Sequence, residues 1–325
     1  TALVGFSVLA IAYRLLNPSH ATFVFPSAAS VVLPHSIPGV LFQSTIAILI
    51  LVGFESSTAF GAEAINPKRD IPRAVILSLF IQGVLAYLFE YFAGNFALSD
   101  ALVGKASDGT VIKGLDAAAA SSAPIGDMIR LIGDTMLGGL GFGLMVVIAV
   151  TVALAILGTT LSAMNTGVRI TYAMAQDSEM PEILGLLHGE YATPHTAVWV
   201  MVAVSALIGA IGTLSVVSLT AVTLASNLGT FVLYALTCLW TIIAFGNRKE
   251  GNFLKHMLVP VLGLLANLVM LVTIFFMGFL GGGDSQTESI GALVLAGVWA
   301  VLSVGYVVIR SRQTGRSIFV QGQQA

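Results

Sequence analysis

The sequence predicts an all-α integral membrane protein, and three observations carry that expectation. Hydrophobic residues make up 57% of the 325 and charged residues only 9%, against about 25% charged in soluble domains. Mean hydropathy is +0.95. The apolar residues also gather into eight runs, each near the roughly 20 residues that a helix needs to cross a bilayer. These are Ala2–Leu16, Pro38–Ile65, Ile71–Leu98, Leu137–Ala163, Thr196–Thr213, Val216–Phe245, Met257–Leu280 and Ile290–Ile309. A net charge of −2 argues against a nucleic-acid partner. The single cysteine, Cys238, allows no intrachain disulfide, and inside an apolar run it reads as buried filler.

The first run starts at Thr1 with no basic segment before it and no small-residue cleavage site after it. It therefore reads as a span cut short, not a signal peptide, and the chain as a fragment of a longer polypeptide. The second run is longer than a crossing requires. At mid-depth it carries Gly53-Phe54-Glu55-Ser56-Ser57-Thr58. A carboxylate there costs about 2.5–3.5 kcal/mol on insertion scales, so such a group normally faces a cavity and has a function. The adjacent glycine lets the backbone leave the helix. A broken transmembrane helix lining a small-solute site is expected. Asn66-Pro67 should close this span, because proline disfavours helix in the residue before it. Asp70 is the expected N-cap of the third span, with Pro72 in its first turn. Lys68, Arg69 and Arg73 then anchor the chain at the headgroups.

Within the third run Gln82, Tyr87, Glu90 and Asn95 are polar. Glu90 lies toward the outer end, where it either carries a proton or lines a vestibule. The loop Ser99–Met136 holds Ile125, Met128, Ile129 and Ile132 at helical spacing, which predicts a short helix, either over an external mouth or simply on the surface. The fourth run continues without a breaker through Asn165. Thr159 and Ser162 share a face there. They either bond back to their own helix or offer oxygens to a cation. Arg169–Asp177 reads as an amphipathic cytoplasmic helix ending before Pro181. In the sixth run Asn227 sits at mid-depth and must find a partner, as glue between helices or as a substrate contact.

Basic residues set the expected orientation. With the loop after the second run in the cytoplasm, that side holds ten: Lys68, Arg69, Arg73, Arg169, Arg248, Lys249, Lys255, Arg310, Arg312 and Arg316. The other side holds four: Arg14, Lys105, Lys113 and Arg130. The C-terminus is then cytoplasmic. Enzyme signatures are missing from the sequence. The five histidines, His20, His35, His188, His195 and His256, show no zinc-helix spacing, and neither a phosphate-binding loop nor a nucleophile elbow occurs. Gly-interrupted apolar segments around an intramembrane carboxylate point instead to a secondary transporter.

The stretch Gly53–Arg73 resembles the sixth transmembrane helix and following loop of the amino acid–polyamine–organocation permeases. The likeness lies in Gly53-Phe54-Glu55, Ala62-Glu63 and Asn66-Pro67-x-Arg69-x-Ile71-Pro72. Asn165-x-Gly167-x-Arg169, Ala173-Met174-Ala175-x-Asp177 and Pro181 are similar to the family's eighth helix running into its cytoplasmic helix. The family has Gly where Ser178 stands and often Arg where Gln176 stands. Gly229-Thr230 is similar, less specifically, to the tenth helix. The resemblance implies a leucine-transporter-type inverted-repeat fold with eight of an expected twelve helices. Residues 1–17 would be the last helix of the first repeat, 37–246 the complete second repeat and 256–311 two C-terminal helices, all in one membrane transport domain, 1–325.

The resemblance also implies a mechanism. Backbone carbonyls from Leu49 through Gly53 would receive the substrate's ammonium group, Phe54 would pack on the side chain or serve as a gate, and Ser56 and Asn227 would join the substrate site. Glu55 falls where some members place a proton-sensing glutamate, and water exclusion favours the neutral form of a carboxyl group. Thr159 and Ser162 fall where sodium-coupled relatives place hydroxyl ligands, and Glu90 is a second proton candidate. Glu63 would be structural, paired with Arg69 or Arg73. The expected activity is secondary transport of an amino acid in the plasma membrane, by proton-coupled symport or by exchange, with no cofactor beyond a coupling proton or sodium ion. A neutral amino acid suits the apolar and hydroxylated residues near the break. A polyamine transporter, a non-transporting amino acid sensor or a membrane scaffold of the same fold are the alternatives. The sequence leaves the oligomeric state open.

Overall fold

The computed structural model describes residues 2–19, 22–61, 64–106, 108–246 and 252–314. Nearly all of them are helical. The helices are α1 (Ala2–Leu16), α2 (Ala28–Val32), α3 (Ile37–Leu51), α4 (Pro67–Val84), α5 (Ala93–Ala97), α6 (Gly114–Ala120) and α7 (Pro124–Met136), followed by α8 (Gly141–Gln176), α9 (His195–Gly212), α10 (Val216–Gly246), α11 (Val259–Leu280) and α12 (Gly283–Thr314). A 3-10 segment, Phe54–Phe60, follows α3, and a π-helical stretch, Leu85–Phe92, joins α4 to α5. Among the described residues seven stretches are long and apolar enough to cross a membrane. The sequence suggested eight; the difference is α1, which at 15 residues is shorter than a crossing.

The chain divides into two units. The first comprises the described parts of Thr1–His35 and Gly53–Asn165, the second those of Ser36–Val52 and Thr166–Ala325. In the first unit, α1 packs with the long loop that follows α5. Phe6, Ala10 and Tyr13 of α1 meet Ala97, Leu98, Met128, Ile129 and Ile132 in one buried cluster. The loop helix expected from Ile125, Met128, Ile129 and Ile132 is α7. Three of those four residues are buried, while Ile125, in its first turn, is exposed. Ahead of α7 the loop forms a small antiparallel hairpin that periodicity did not reveal, β1 (Val103–Lys105) on β2 (Val111–Lys113), with Gly104 opposite Ile112.

Arg14 secures the C-terminal end of α1 in this unit. Its guanidinium donates to the Phe96 carbonyl at 2.9 Å and the Pro26 carbonyl at 3.0 Å. It lies 3.9 Å from the centre of the Phe96 ring and 4.6 Å from that of Phe23. A cation held between aromatic faces gains about 0.5–2 kcal/mol per contact, so a residue that the sequence showed only as a charge to be counted is a clamp across the loop.

In the second unit α10, α11 and α12 pack side by side, and α3 lies against α10 and α11. Phe42, Leu224, Leu228, Phe231, Ile274 and Ala292 form the core. Small residues let these helices approach, the usual device in membranes. A Cβ on Gly278 would lie 3.1 Å from Leu293, and one on Gly263 would lie 2.9 Å from the Cys238 sulfur. Cys238 thus packs against α11 but is half-buried, not the buried filler that its apolar setting suggested.

Two local expectations are corrected. The third span begins at Pro67, not after Asp70. Asn66 is the N-cap, and its carbonyl takes the first helical bonds, from Arg69 at 3.0 Å and Asp70 at 2.8 Å. Pro67 needs no partner for an N–H that it lacks, so it starts the helix well, and Pro72 lies inside. Arg169–Asp177 is also no separate helix for most of its length: α8 runs unbroken to Gln176, because nothing between Ala163 and Arg169 breaks it. The turn after it uses Ser178 in a left-handed conformation, φ 63°, at the position where the family has Gly.

Candidate functional site

Val52 and Gly53 break the second span. The last regular bond of α3 runs from the Val52 N–H to the Ile48 carbonyl at 3.0 Å. Val52 is then extended, φ −64° and ψ 139°, and Gly53 takes φ 119° and ψ −17°. L-residues with side chains rarely adopt that conformation, which is why the turn falls on the glycine. In an unbroken helix the Gly53 N–H would bond to the Leu49 carbonyl. Here it donates to Glu55 Oε2 at 2.9 Å. The carboxylate therefore caps the break and takes a donor away from α3. The 3-10 segment then starts with the Ser56 N–H on the Gly53 carbonyl at 3.1 Å, and the Thr58 hydroxyl donates to the Glu55 carbonyl at 2.6 Å.

Three features follow one another along the chain here. The C-terminal end of α3, with its last carbonyls at Leu49–Leu51, carries the negative end of a helix dipole. Such an end suits a cation. Gly53, the 3-10 segment and its single carboxylate follow immediately. Leu49 is exposed, while Phe54, Glu55 and Ser56 are half-buried. The boundary between the two units also falls between Val52 and Gly53. Leu49 accordingly belongs to the second unit and Gly53, Phe54, Glu55 and Ser56 to the first.

Asn227, on α10, is fully buried. Its Nδ2 donates to the Thr45 carbonyl at 2.7 Å and the Ile46 carbonyl at 3.4 Å, both in α3. This is the inter-helix glue that its depth suggested. Thr45, missed in the sequence, is buried beside it, its hydroxyl bonded to the Phe42 carbonyl at 2.6 Å. Hydroxyl back-bonding is so common in membrane helices that nothing set Thr45 apart in advance.

Thr159 and Ser162 lie one turn apart on α8, both exposed. Glu90 falls on the π-helical stretch, and its side chain lies outside the described residues, as do Ala62 and Glu63 altogether. π-helical turns are frequent at functional sites. Around this one Tyr87 stacks on Tyr91 at 5.8 Å, and Asn95 donates to the Tyr91 carbonyl at 2.9 Å. Among the described residues no three His, Cys, Asp or Glu side chains come together as metal ligands would.

Known proteins match this sequence. Residues 2–304 match a family described as amino acid permease. The chain belongs to the amino acid permease family. The branched-chain amino acid permease BcaP of Bacillus subtilis is 22% identical over 261 residues, 80% of this chain and 50% of that protein. The protein of the same name from Lactococcus lactis is 33% identical over 165 residues, 50% of this chain and 30% of its own length. The methylthioribose transporter of Bacillus subtilis is 21% identical over 261 residues, 80% of this chain and 50% of that protein. The chain thus spans about half, or less, of the length of these relatives. With seven long apolar helices among the described residues, the chain is a multi-pass membrane protein of a transporter family.

Proposed function

We propose that the chain is the part of a secondary active amino acid transporter that carries the broken helix of its substrate site. The observation that supports this best is the break itself. A helix C-terminus, a glycine at φ 119° and a carboxylate bonded to that glycine's N–H adjoin in a chain of the amino acid permease family. Carbonyls at a helix end attract a substrate ammonium, and Leu49 to Gly53 supply them. Phe54 packs on the substrate side chain, and Ser56 adds a hydroxyl. A neutral, branched amino acid fits the apolar surroundings, and two relatives are named as branched-chain amino acid permeases. Because a third relative is named for methylthioribose, the substrate panel must reach beyond amino acids.

Coupling is by proton, with Glu55 as the carrier and Glu90 as a second candidate. Thr159 and Ser162 are the alternative, as hydroxyl ligands for sodium. The leucine-transporter-type inverted repeat, an eighth span at α1, a plasma-membrane location and a cytoplasmic C-terminus complete the proposal. Counterflow of radiolabelled L-leucine, L-valine, L-alanine and methylthioribose into liposomes containing the full-length protein tests it. Saturable counterflow of an amino acid is expected. Binding without counterflow would favour a sensor of the same fold instead.

Glu55→Gln separates the two tasks of this residue. The amide oxygen can still accept the Gly53 N–H, so the break should persist, while the protonatable group is gone. Uptake driven by an inward proton gradient should fall at least about tenfold, the effect of about 1.4 kcal/mol, while exchange without a gradient survives. An unchanged response to the gradient would remove Glu55 from the coupling role.

A further inference from the structure

Asn227 makes a bond that α3 does not need. The Thr45 and Ile46 carbonyls lie inside α3, where the N–H groups four residues on already serve them. Asn227 Oδ1, fully buried, has no hydrogen-bond partner among the described residues. An unpaired buried acceptor destabilises, and exchanging such a group for an apolar one of similar shape is often neutral or better. Leucine at this position would remove the orphan oxygen and leave no α3 carbonyl unserved. Stability alone therefore does not account for the asparagine.

Its amide does something that leucine cannot. Apolar packing of α3 on Leu224, Leu228, Phe231 and Ile274 is non-directional, so it tolerates small rotations of α3 about its axis. A donor within reach of two adjacent carbonyls is directional and selects one rotation. Thr45 and Ile46 lie one turn before Leu49–Leu51, whose carbonyls end the helix at the break. We propose that Asn227 is a positioning residue that sets the rotation of the last turn of α3 and so the direction in which the Leu49–Leu51 carbonyls open. The idea rests on the reading of those carbonyls as the amine site.

Asn227→Leu and Asn227→Ala test it in the full-length protein, by hydrogen exchange over Leu49–Val52 and by concentration-dependent counterflow of radiolabelled L-leucine. Asn227→Leu should purify in wild-type yield with wild-type thermal stability. Its exchange over Leu49–Val52 should rise about 3- to 10-fold, and KM should rise by a similar factor, the effect of one hydrogen bond, with a smaller change in maximal rate. Asn227→Ala, which removes the donor without adding bulk, should move the same two quantities and decides the matter should the leucine variant not fold. Unchanged exchange and unchanged KM overturn the proposal. Wild-type protein without L-leucine counterflow would count against the transport reading for that substrate, and the exchange measurement alone would then judge Asn227: faster exchange supports it and wild-type exchange overturns it.

Discussion

At the scale of single residues, Gly53 and Glu55 act as a pair. The glycine supplies a backbone conformation that costs other residues about 1–2 kcal/mol, and the carboxylate takes the N–H that the turn releases. Open space surrounds a Cβ at Gly53, so Gly53→Ala should express its cost through the backbone alone. About 1–2 kcal/mol of lost stability, measured by thermal unfolding in detergent, is expected. Full stability in that variant would mean that the backbone relaxes there. The pair was legible in the sequence because a carboxylate is expensive at mid-depth in lipid and the glycine beside it frees the backbone to leave the helix. The bond between them was not, since a half-buried carboxylate can reach many donors. Asp108 shows the same effect outside the membrane. The Thr110 hydroxyl and N–H both donate to it, at 2.6 and 2.9 Å, and hold its carboxyl below the ordinary 3.8. Lowering the pKa means that this turn is stabilised above 3.8, weakens as pH falls through it, and loses the contribution below the lowered value. Hydrogen exchange at Thr110 should follow that course, and Thr110→Val should shift the transition upward.

Elements follow from periodicity until a partner intervenes. α7 has the spacing of a one-sided helix, and its buried face is Met128, Ile129, Ile132 and Gly133. Gly133 approaches Gly141 so closely that a Cβ would lie 2.7 Å from the Gly141 Cα. Ile132 is 1% exposed. Ile132→Ala should cost about 2–5 kcal/mol, as large-to-small core changes do, read from thermal unfolding. A loss below about 0.5 kcal/mol, the level of a neutral surface change, would mean that α7 is not packed on α1. The true start of α4 was less legible. Asn66-Pro67 and Asp70 with Pro72 are both good helix openings, and propensity alone does not rank them. Bonds from Arg69 and Asp70 to Asn66 decide for the first.

At the scale of the whole molecule, hydropathy marked the spans, and seven of them are long apolar helices. Orientation is a separate proposal, in which the excess of basic residues near Lys68 and Lys255 would put those loops in the cytoplasm. Cys238 is the sole cysteine of these 325 residues, so Cys238→Ala clears this part of the protein for labelling. Thr110→Cys should react with an impermeant maleimide from outside intact cells, and Asn252→Cys only after permeabilisation. The reverse pattern would invert the proposed topology.

The sequence by itself determined that this chain is made of membrane helices with one broken at Gly53. Hydropathy, glycine and a costly carboxylate are local properties, and lipid penalises their misplacement strongly enough to make them readable. Only the tertiary structure decided what the polar side chains do. Arg14 clamps Phe96, 82 residues on, and Asn227 holds Thr45, 182 residues back. A hydrogen-bonding group in an apolar setting must find a partner, but many backbone carbonyls would serve equally well. Which one it meets depends on how the helices pack, and no stretch of sequence around the residue contains that information.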